Sequence, residues 1–162
     1  MRIGIISDSH DNLTNLGKVI ERLKEEKVEA VVHCGDFCAP FVAVLLKDLQ
    51  VPVHAVFGNV DGDRFRMMAM KPENLTIHGD FAELELGGRK IAVVHYPEIA
   101  RPVALSNQYD VVCYGHAHVA SNARIGNTIL INPGEITNLK GKPSYAIYDS
   151  ERREAIIKAL TE

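Results

Sequence analysis

Short apolar runs alternate with longer helical segments in the first half of the chain. The run Arg2–Ser7 is followed by Leu13–Glu26, where apolar residues recur at the spacing of one helix face, and Asn12 is positioned to cap that helix. The alternation continues with strand Ala30–Cys34, helix Phe41–Leu49, strand Val53–Phe57 and a weaker helix, Arg64–Met70. Because strands covered on both faces lack polar positions, this half predicts a parallel sheet with helices against it.

The second half predicts mostly strands joined by tight turns, marked by Gly87-Gly88 and Gly126-Asn127. The predicted strands are Phe81–Leu86, Lys90–His95, Asp110–Tyr114, Ser121–Ile125, Thr128–Asn132, Ser144–Asp149 and Glu154–Leu160. The remaining helix, Glu98–Asn107, contains Pro102 and should be short or irregular. So many strands with so few helices predict an α/β fold of four layers, an αββα sandwich of two mixed β-sheets flanked by helices.

Composition and charge narrow the classes of partner and compartment. A chain of 162 residues has the size of one domain, and we take residues 1–162 as a single one. The net charge of −3, with no run of Lys or Arg longer than two residues, argues against a long nucleic acid as partner. The apolar runs are far shorter than the ~20 residues that cross a bilayer, so no membrane contact is expected.

The expected compartment is the cytoplasm. Met1-Arg2 leads directly into the first strand, which leaves no room for a signal peptide. Cys34, Cys38 and Cys113 are an odd number without secretory context, so we expect no disulfides. The spacing of Cys34 and Cys38 suggests a thiolate metal site, but such a site needs a second cysteine pair, which is missing. We therefore expect the two cysteines to pack beside the sheet as small apolar residues.

Side chains that can bind metal ions follow five of the apolar runs. They are Asp8, His10, Asp36, Asn59, His95, His116 and His118. Since the carboxyl ends of strands in an open α/β sheet face one crevice, these groups are expected to converge. A mixed set of seven oxygen and nitrogen ligands is too large for one tetrahedral zinc ion and suits two divalent ions.

The alternative to metal binding is a structural role. Asp8, Asp36 and Asn59 also suit helix caps and turns, and His116 and His118 also suit two structural histidines. The spacing of these two histidines puts both on one face if the segment is extended. The position of all seven groups at strand ends favours the metal hypothesis.

Other polar residues near these motifs are assigned differently. His33 lies inside the second predicted strand and is expected to be a buried core or supporting residue. His54 and His78 lack a motif neighbour, so surface or satisfied core positions are expected. Asp11 and Asp61 lie in the loops of the motifs, where turn formation and substrate contact fit each of them equally.

The order of the motifs resembles the calcineurin-like metallophosphoesterases over residues 3 to 134. The short length, Gly-Asn-x-Asp at positions 58–61 and Asn132-Pro133-Gly134 resemble the small archaeal and bacterial phosphodiesterase branch of that family. The resemblance implies the same αββα fold and two divalent transition-metal ions, with manganese preferred for activity and nickel, iron or zinc as alternatives. It implies one ion held by Asp8, His10, Asp36 and His118, and a second held by Asp36, Asn59, His95 and His116, with Asp36 as the bridge.

The expected function is hydrolysis of small phosphate esters by a dinuclear-metal phosphodiesterase with a metal-bridging hydroxide as the nucleophile. Asp36, Asn59 and His116 are the expected catalytic residues, and a small phosphate ester is the expected partner. Assembly as a homo-oligomer is left open. The alternative is a non-catalytic metal-binding scaffold on the same fold, similar to the small retromer subunit. The intact set of seven ligands favours the enzyme, because a scaffold does not need it.

Two positions depart from the family pattern. Val60 follows Asn59 where many members have a histidine that protonates the leaving alcohol. Tyr96-Pro97 follows His95 where relatives commonly continue with Gly-His. A missing general acid costs about 10²–10⁴-fold in rate, so esters with poor leaving groups should react slowly. The phenol of Tyr96 should change the contacts to the substrate.

Overall fold

The computed structural model describes residues 1–161 as eleven strands and four α-helices. The strands are β1 (Arg2–Ile6), β2 (Ala30–His33), β3 (Val53–Ala55), β4 (Leu75–Ile77), β5 (Phe81–Leu86), β6 (Arg89–Val94), β7 (Val111–Cys113), β8 (Ser121–Ile125), β9 (Thr128–Asn132), β10 (Ser144–Asp149) and β11 (Glu154–Ala159). The helices are α1 (Leu13–Glu25), α2 (Pro40–Leu45), α3 (Arg64–Met70) and α4 (Pro97–Leu105). Among the residues described, we find no helix with the length and apolar character to span a membrane.

The strands form two mixed sheets. The first has the order β11-β10-β1-β2-β3-β4, in which β1 to β4 are parallel and β10 and β11 pair antiparallel. The second has the order β5-β6-β7-β9-β8, with β6, β7 and β9 parallel between two antiparallel edge strands. The first half of the chain thus forms the parallel part of one sheet, as its apolar runs predict.

Alternation along the strands separates three apolar layers. In β1, Ile3 and Ile5 pack between the two sheets, whereas Ile6 belongs to the layer under α1, α2 and α3. In β9, Ile131 faces the space between the sheets and Leu130 packs under α4. Helices therefore cover the outer face of each sheet, which confirms the four-layer αββα sandwich.

Local sequence explains the start of α1 and the first hairpin. The side chain of Asn12 accepts a hydrogen bond from the backbone N–H of Asn15 (3.0 Å), which confirms it as the helix cap. Gly87 and Gly88 join β5 to β6 with φ of 57° and 68°. Two consecutive positive φ values are what a tight two-residue hairpin turn requires.

Three details differ from the sequence prediction. The sequence does not predict β4, because a strand of three residues soon after Pro72 is too short to show a period. The helix expected over Phe41–Leu49 is α2 followed by a 3₁₀ turn, Leu46–Leu49, which ends at Gln50 in the left-handed conformation. Pro102 lies inside α4, which stays nine residues long. The helix accommodates it with the loss of one hydrogen bond, because proline has no backbone N–H to donate to the ladder.

Candidate metal centre

The carboxyl ends of five strands carry the candidate ligands. These are β1, β2 and β3 of the first sheet and β6 and β7 of the second. The two sheets are joined at this edge by the backbone N–H of His116, which donates to both carboxylate oxygens of Asp8 (3.2 and 3.1 Å). The ligands therefore converge on a crevice between two stacked sheets.

Five of the seven candidate ligands have an unusual backbone conformation. Asp8, His10, Asp36, His116 and His118 have positive φ between 44° and 65°. This left-handed region is uncommon for residues with a Cβ atom, and such residues collect at functional sites. Each turns the chain sharply after a strand, so these loops are shaped for the side chains that they carry rather than for regular structure.

Asp61 anchors the loops of Asp36 and Asn59. Its buried carboxylate accepts four backbone N–H groups, those of Asp36 (3.0 Å), Phe37 (2.7 Å), Cys38 (2.9 Å) and Gly58 (2.7 Å). A carboxylate has about four lone-pair sites, so these bonds occupy it fully. Of the two roles that the sequence leaves open for Asp61, the geometry supports turn formation.

One group of ligand atoms surrounds a common centre. The donor atoms of Asp8, His10, Asp36 and His118 all lie within 4.8 Å of one another. His118 Nε2 is 3.4 Å from Asp8 Oδ1, and His10 Nε2 is 3.8 Å from Asp36 Oδ2. Ligands that are about 2.1 Å from one ion are roughly 3.0–3.4 Å apart. The four residues are therefore close to the spacing of a coordination shell.

A second group adjoins the first. Asn59 Oδ1 lies 3.0 Å from His95 Nε2 and 2.8 Å from His116 Nδ1. His95 Nε2 is 3.3 Å from Asp36 Oδ2. Asp36 thus contacts both groups, which is the position that the family resemblance implies for a bridging carboxylate.

The donor atoms fit divalent metal ions. His10 Nε2 is buried and has no hydrogen-bond partner, although it lies among the carboxylates and His118. An unpaired buried nitrogen is costly, and an ion bound among these donors would pair it. Two carboxylates, one carboxamide oxygen and four imidazoles form the mixed oxygen and nitrogen set that first-row divalent metals accept.

The negative charge of the crevice is centred on Asp36. Burial raises the pKa of Asp8. Burial opposes ionisation of Asp36 as well, but the contact with His95 and the N–H of Val60 (3.1 Å) lower the pKa of Asp36 overall. Burial alone would lower the pKa of His95, yet Asp36 and the Cys34 carbonyl (2.8 Å from Nδ1) raise it. Asp36 and His95 therefore each favour the charged form of the other.

Solvent reaches the ligands from one side. Asp8, Asp36 and His95 are buried, whereas Asn59 is exposed and His116 is partly exposed. Asn59 is therefore the candidate ligand most open to a molecule that enters the crevice.

The two departures from the family pattern lie on this open side. The Val60 side chain is 39% exposed and has no proton to transfer. The Tyr96 ring lies 5.1 Å from the rings of both His95 and His116, so a phenol lines the crevice there. Asp61 is the other acid near Val60, and its carboxylate is occupied by backbone N–H groups.

The remaining polar residues of the sequence analysis have structural partners. His54 and His78 contact each other (3.1 Å between Nδ1 and Nε2), as expected for satisfied residues without a motif. Asp11 accepts the backbone N–H of Ala39 (3.2 Å), which fits a turn role. All three cysteines are free, in agreement with the prediction: Cys34, Cys38 and Cys113.

Glu135 is a residue of this region that the sequence analysis missed. It is 1% exposed, and its Oε2 lies 2.6 Å from His118 Nδ1. The motif Asn132-Pro133-Gly134 stops one residue before it. The only signal in the sequence is a glutamate directly after this motif; its burial and its partners require the structure.

Comparison with known proteins agrees with this site. A family model described as the calcineurin-like phosphoesterase superfamily domain matches residues 1–153. Phosphodiesterase MJ0936 of Methanocaldococcus jannaschii is 37% identical over 161 residues, which covers 95% of this chain and 96% of that protein. The probable metallophosphoesterase YsnB of Bacillus subtilis is 30% identical over 171 residues, with coverages of 98% and 89%. A solved archaeal phosphodiesterase has a TM-score of 0.91 at 35% identity, with coverages of 98% and 99%.

His33 supports the loops of the site from below. Its Nδ1 accepts the N–H of Gly35 (3.1 Å), and its Nε2 donates to the Ser9 hydroxyl (3.0 Å). The ring stacks on Phe37 with 3.9 Å between centroids. The residue is buried, as predicted, and burial lowers its pKa from 6.5 to about 3. The folded protein therefore requires a neutral imidazole here.

We expect His33 to make the metal-free protein less stable as the pH falls from 6.5 towards 3. In this range the unfolded chain takes up a proton at His33 and the folded chain does not, so the free energy of unfolding falls by about 1.4 kcal/mol per pH unit from this group. Urea unfolding of the wild type and of His33→Gln at pH 6.5, 5.5 and 4.5 measures the difference. Equal slopes for the two proteins would show that His33 titrates normally in the folded state.

Proposed function

Because the chain belongs to the calcineurin-like phosphoesterase superfamily, we propose that it is a metal-dependent phosphodiesterase that hydrolyses small phosphate esters with two divalent ions. Support comes from relatives over nearly the whole chain, such as phosphodiesterase MJ0936. The observation that carries the proposal is the pair of adjoining ligand groups, with Asp36 in contact with both and His10 Nε2 buried without a partner.

The protein supplies the frame for the reaction. Asp36 would share its carboxylate between the two ions, and Asn59 and His116 would complete the second ion on the open side of the crevice. When bound, the two ions would acidify a water molecule to act as the nucleophile and would neutralise charge on the phosphate oxygens. Since Asn59 is the only exposed residue among the seven candidate ligands, the phosphate is expected to approach along it.

Charge balance favours diesters as substrates. Two divalent ions carry four positive charges, of which the carboxylates of Asp8 and Asp36 neutralise two. The remaining two positive charges balance one anionic nucleophile and one diester monoanion. In residues 1–161, no lysine or arginine side chain hydrogen-bonds to any of the seven ligands, and Arg64, which reaches the Gly58 carbonyl (3.1 Å) beside Asn59, is paired with Asp80 (2.9 Å). The extra charge of a monoester therefore has no unpaired lysine or arginine among these contacts. Diesters should therefore react faster than monoesters.

The donor atoms also bear on the identity of the metal ion, and the cysteines bear on the compartment. The two carboxylates and the carboxamide oxygen support manganese as the activating ion, whereas the four imidazoles also suit nickel and zinc. Three free cysteines support a reducing compartment such as the cytoplasm.

A scaffold without catalysis is the competing function. A metal-binding scaffold would share with an enzyme the buried His10 nitrogen without a partner and the left-handed backbone at five of the seven candidate ligands, so turnover has to be measured. Turnover of a phosphodiester by the manganese-loaded protein, lost on chelation and restored by manganese, separates the two functions.

Asp36→Asn should be the most damaging ligand substitution. Asparagine keeps the shape but removes the charge shared by the two ions, and a loss of several kcal/mol of charge stabilisation corresponds to roughly 10²–10⁴-fold in kcat/KM. His54→Ala is the control, because the His54 side chain hydrogen-bonds to His78 and to none of the seven ligands. This variant should keep near wild-type turnover. If thermal melting shows that both variants are folded, loss of activity in His54→Ala with retention of activity in Asp36→Asn would contradict the assignment of the site.

The rate should depend steeply on the acidity of the leaving group. Val60 has no proton to give and Asp61 is fully bonded, so an aryl diester with a leaving-group pKa of about 7 should react readily and an alkyl diester slowly. Kinetics on a graded series of diesters measures this dependence.

Val60→His should restore a proton donor and raise turnover about 10- to 100-fold on alkyl diesters only, up to the lower end of the 10²–10⁴-fold range for a general acid. Ile156→His, on the exposed edge strand β11, controls for adding a histidine. Equal wild-type rates on aryl and alkyl diesters would reveal another acid, and Tyr96→Phe would test whether Tyr96 is that acid.

A further inference from the structure

Glu135 is a buried carboxylate surrounded by hydrogen-bond donors. Its Oε1 accepts the backbone N–H groups of Lys140 and Gly141 (both 2.6 Å), and its Oε2 accepts that of Leu139 (3.0 Å). The fourth contact is His118 Nδ1, 2.6 Å from Oε2. Three of these four partners can only donate, and together they hold the carboxylate in one orientation.

This arrangement determines where the proton of His118 lies. A carboxylate oxygen that already accepts an N–H is an acceptor for the imidazole as well, so Nδ1 carries the proton. Nε2 is then free of a proton and presents its lone pair 3.4 Å from Asp8 Oδ1, inside the first group of ligands. Nε2 is the nitrogen that this group requires as a metal ligand.

The other histidines that use Nε2 have weaker partners. His95 Nδ1 is held by the carbonyl of Cys34 (2.8 Å), and His10 Nδ1 faces the thiol of Cys38 (3.3 Å). Only His118, of these three, is held by a carboxylate. A carboxylate on the far nitrogen makes the ligating nitrogen more basic and fixes the ring, and its loss typically costs 10–100-fold in metal affinity or activity.

The loop that begins at Glu135 also contacts the other sheet. The backbone N–H groups of Ile136 and Thr137 donate to the carbonyl of Asp8 (3.2 and 3.1 Å). Two ligands of the first group, Asp8 and His118, are thus supported by one short segment.

We propose that Glu135 is a positioning residue that holds His118 with Nδ1 protonated and Nε2 presented to the first metal ion. The proposal rests on the proposed function, since it assumes that this site binds metal. It assigns Glu135 no contact with the substrate. Its effect passes through His118, and it should therefore appear in metal binding before any turnover is measured.

The first test is the protonation pattern of His118 in the metal-free wild type. With ¹⁵N-labelled histidine, long-range ¹H–¹⁵N correlation spectra at pH 8.5, above the usual histidine pKa of about 6.5, should show the His118 Nδ1 protonated and the Nε2 bare. A proton on His118 Nε2 would overturn the proposal, whatever the fate of any variant.

The second test is manganese binding by calorimetry. Glu135→Gln should weaken one of two sites by about 10–100-fold and leave the other unchanged. In either orientation the amide presents an NH₂ group to two of the four donors, and with its oxygen towards His118 it offers a neutral acceptor in place of a carboxylate. Glu83→Gln is the matched control, because Glu83 accepts a hydrogen bond from Tyr109 (2.5 Å) in the loop before β7, and it should bind as the wild type. Wild-type binding by Glu135→Gln would contradict the proposal.

A double-mutant cycle separates positioning from a purely structural role. In a His118→Gln background, Glu135→Gln should cause no further loss of manganese affinity, because its effect passes through His118. An equal loss in both backgrounds would mean that Glu135 only stabilises its loop. None of these measurements uses turnover, so a protein that passes them and fails to hydrolyse diesters would count against the proposed function alone.

Discussion

The site depends on a single buried carboxylate that binds no metal. Asp61 receives four backbone N–H groups from the loops after β2 and β3, and so fixes Asp36 beside Asn59. Without it, four buried donors would lack partners, at a cost of about 1–3 kcal/mol each. Gly58 completes the constraint, because a Cβ atom there would lie 2.0 Å from Asp36 Oδ1. The position of Asp36 between the two groups of candidate ligands therefore follows from backbone hydrogen bonding in the loops around it.

The other ligands follow the same plan, in which a rigid strand ends in a strained turn that is supported from behind. His95 is supported by the Cys34 carbonyl and His118 by Glu135. Asp8 accepts the N–H of His116 from the second sheet. Because the supports come from both sheets, the crevice depends on the stacking of the sheets, and strain at five ligands is compensated by the bonds around them.

Much of the fold and the ligand set can be predicted from the sequence. Unbroken apolar runs identify the strands, and polar motifs at their ends give Asp8 through His118 as candidates. The prediction misses β4, because a strand of three residues at the edge of a sheet shows no period. It also misses Glu135, because its partners are the backbone of the loop that follows it and His118, which lies after β7. The roles of Asp61 and Asp11 are also beyond the sequence. Carboxylates that accept backbone N–H groups resemble catalytic ones until the donors are located.

The central claim is that two ions share Asp36. Anomalous diffraction from crystals of the protein with manganese tests it most directly. We expect two peaks about 3.5–4 Å apart, both in contact with Asp36, one with Asp8, His10 and His118 and the other with Asn59, His95 and His116. A single peak under saturating manganese, or two peaks that do not share Asp36, would contradict it.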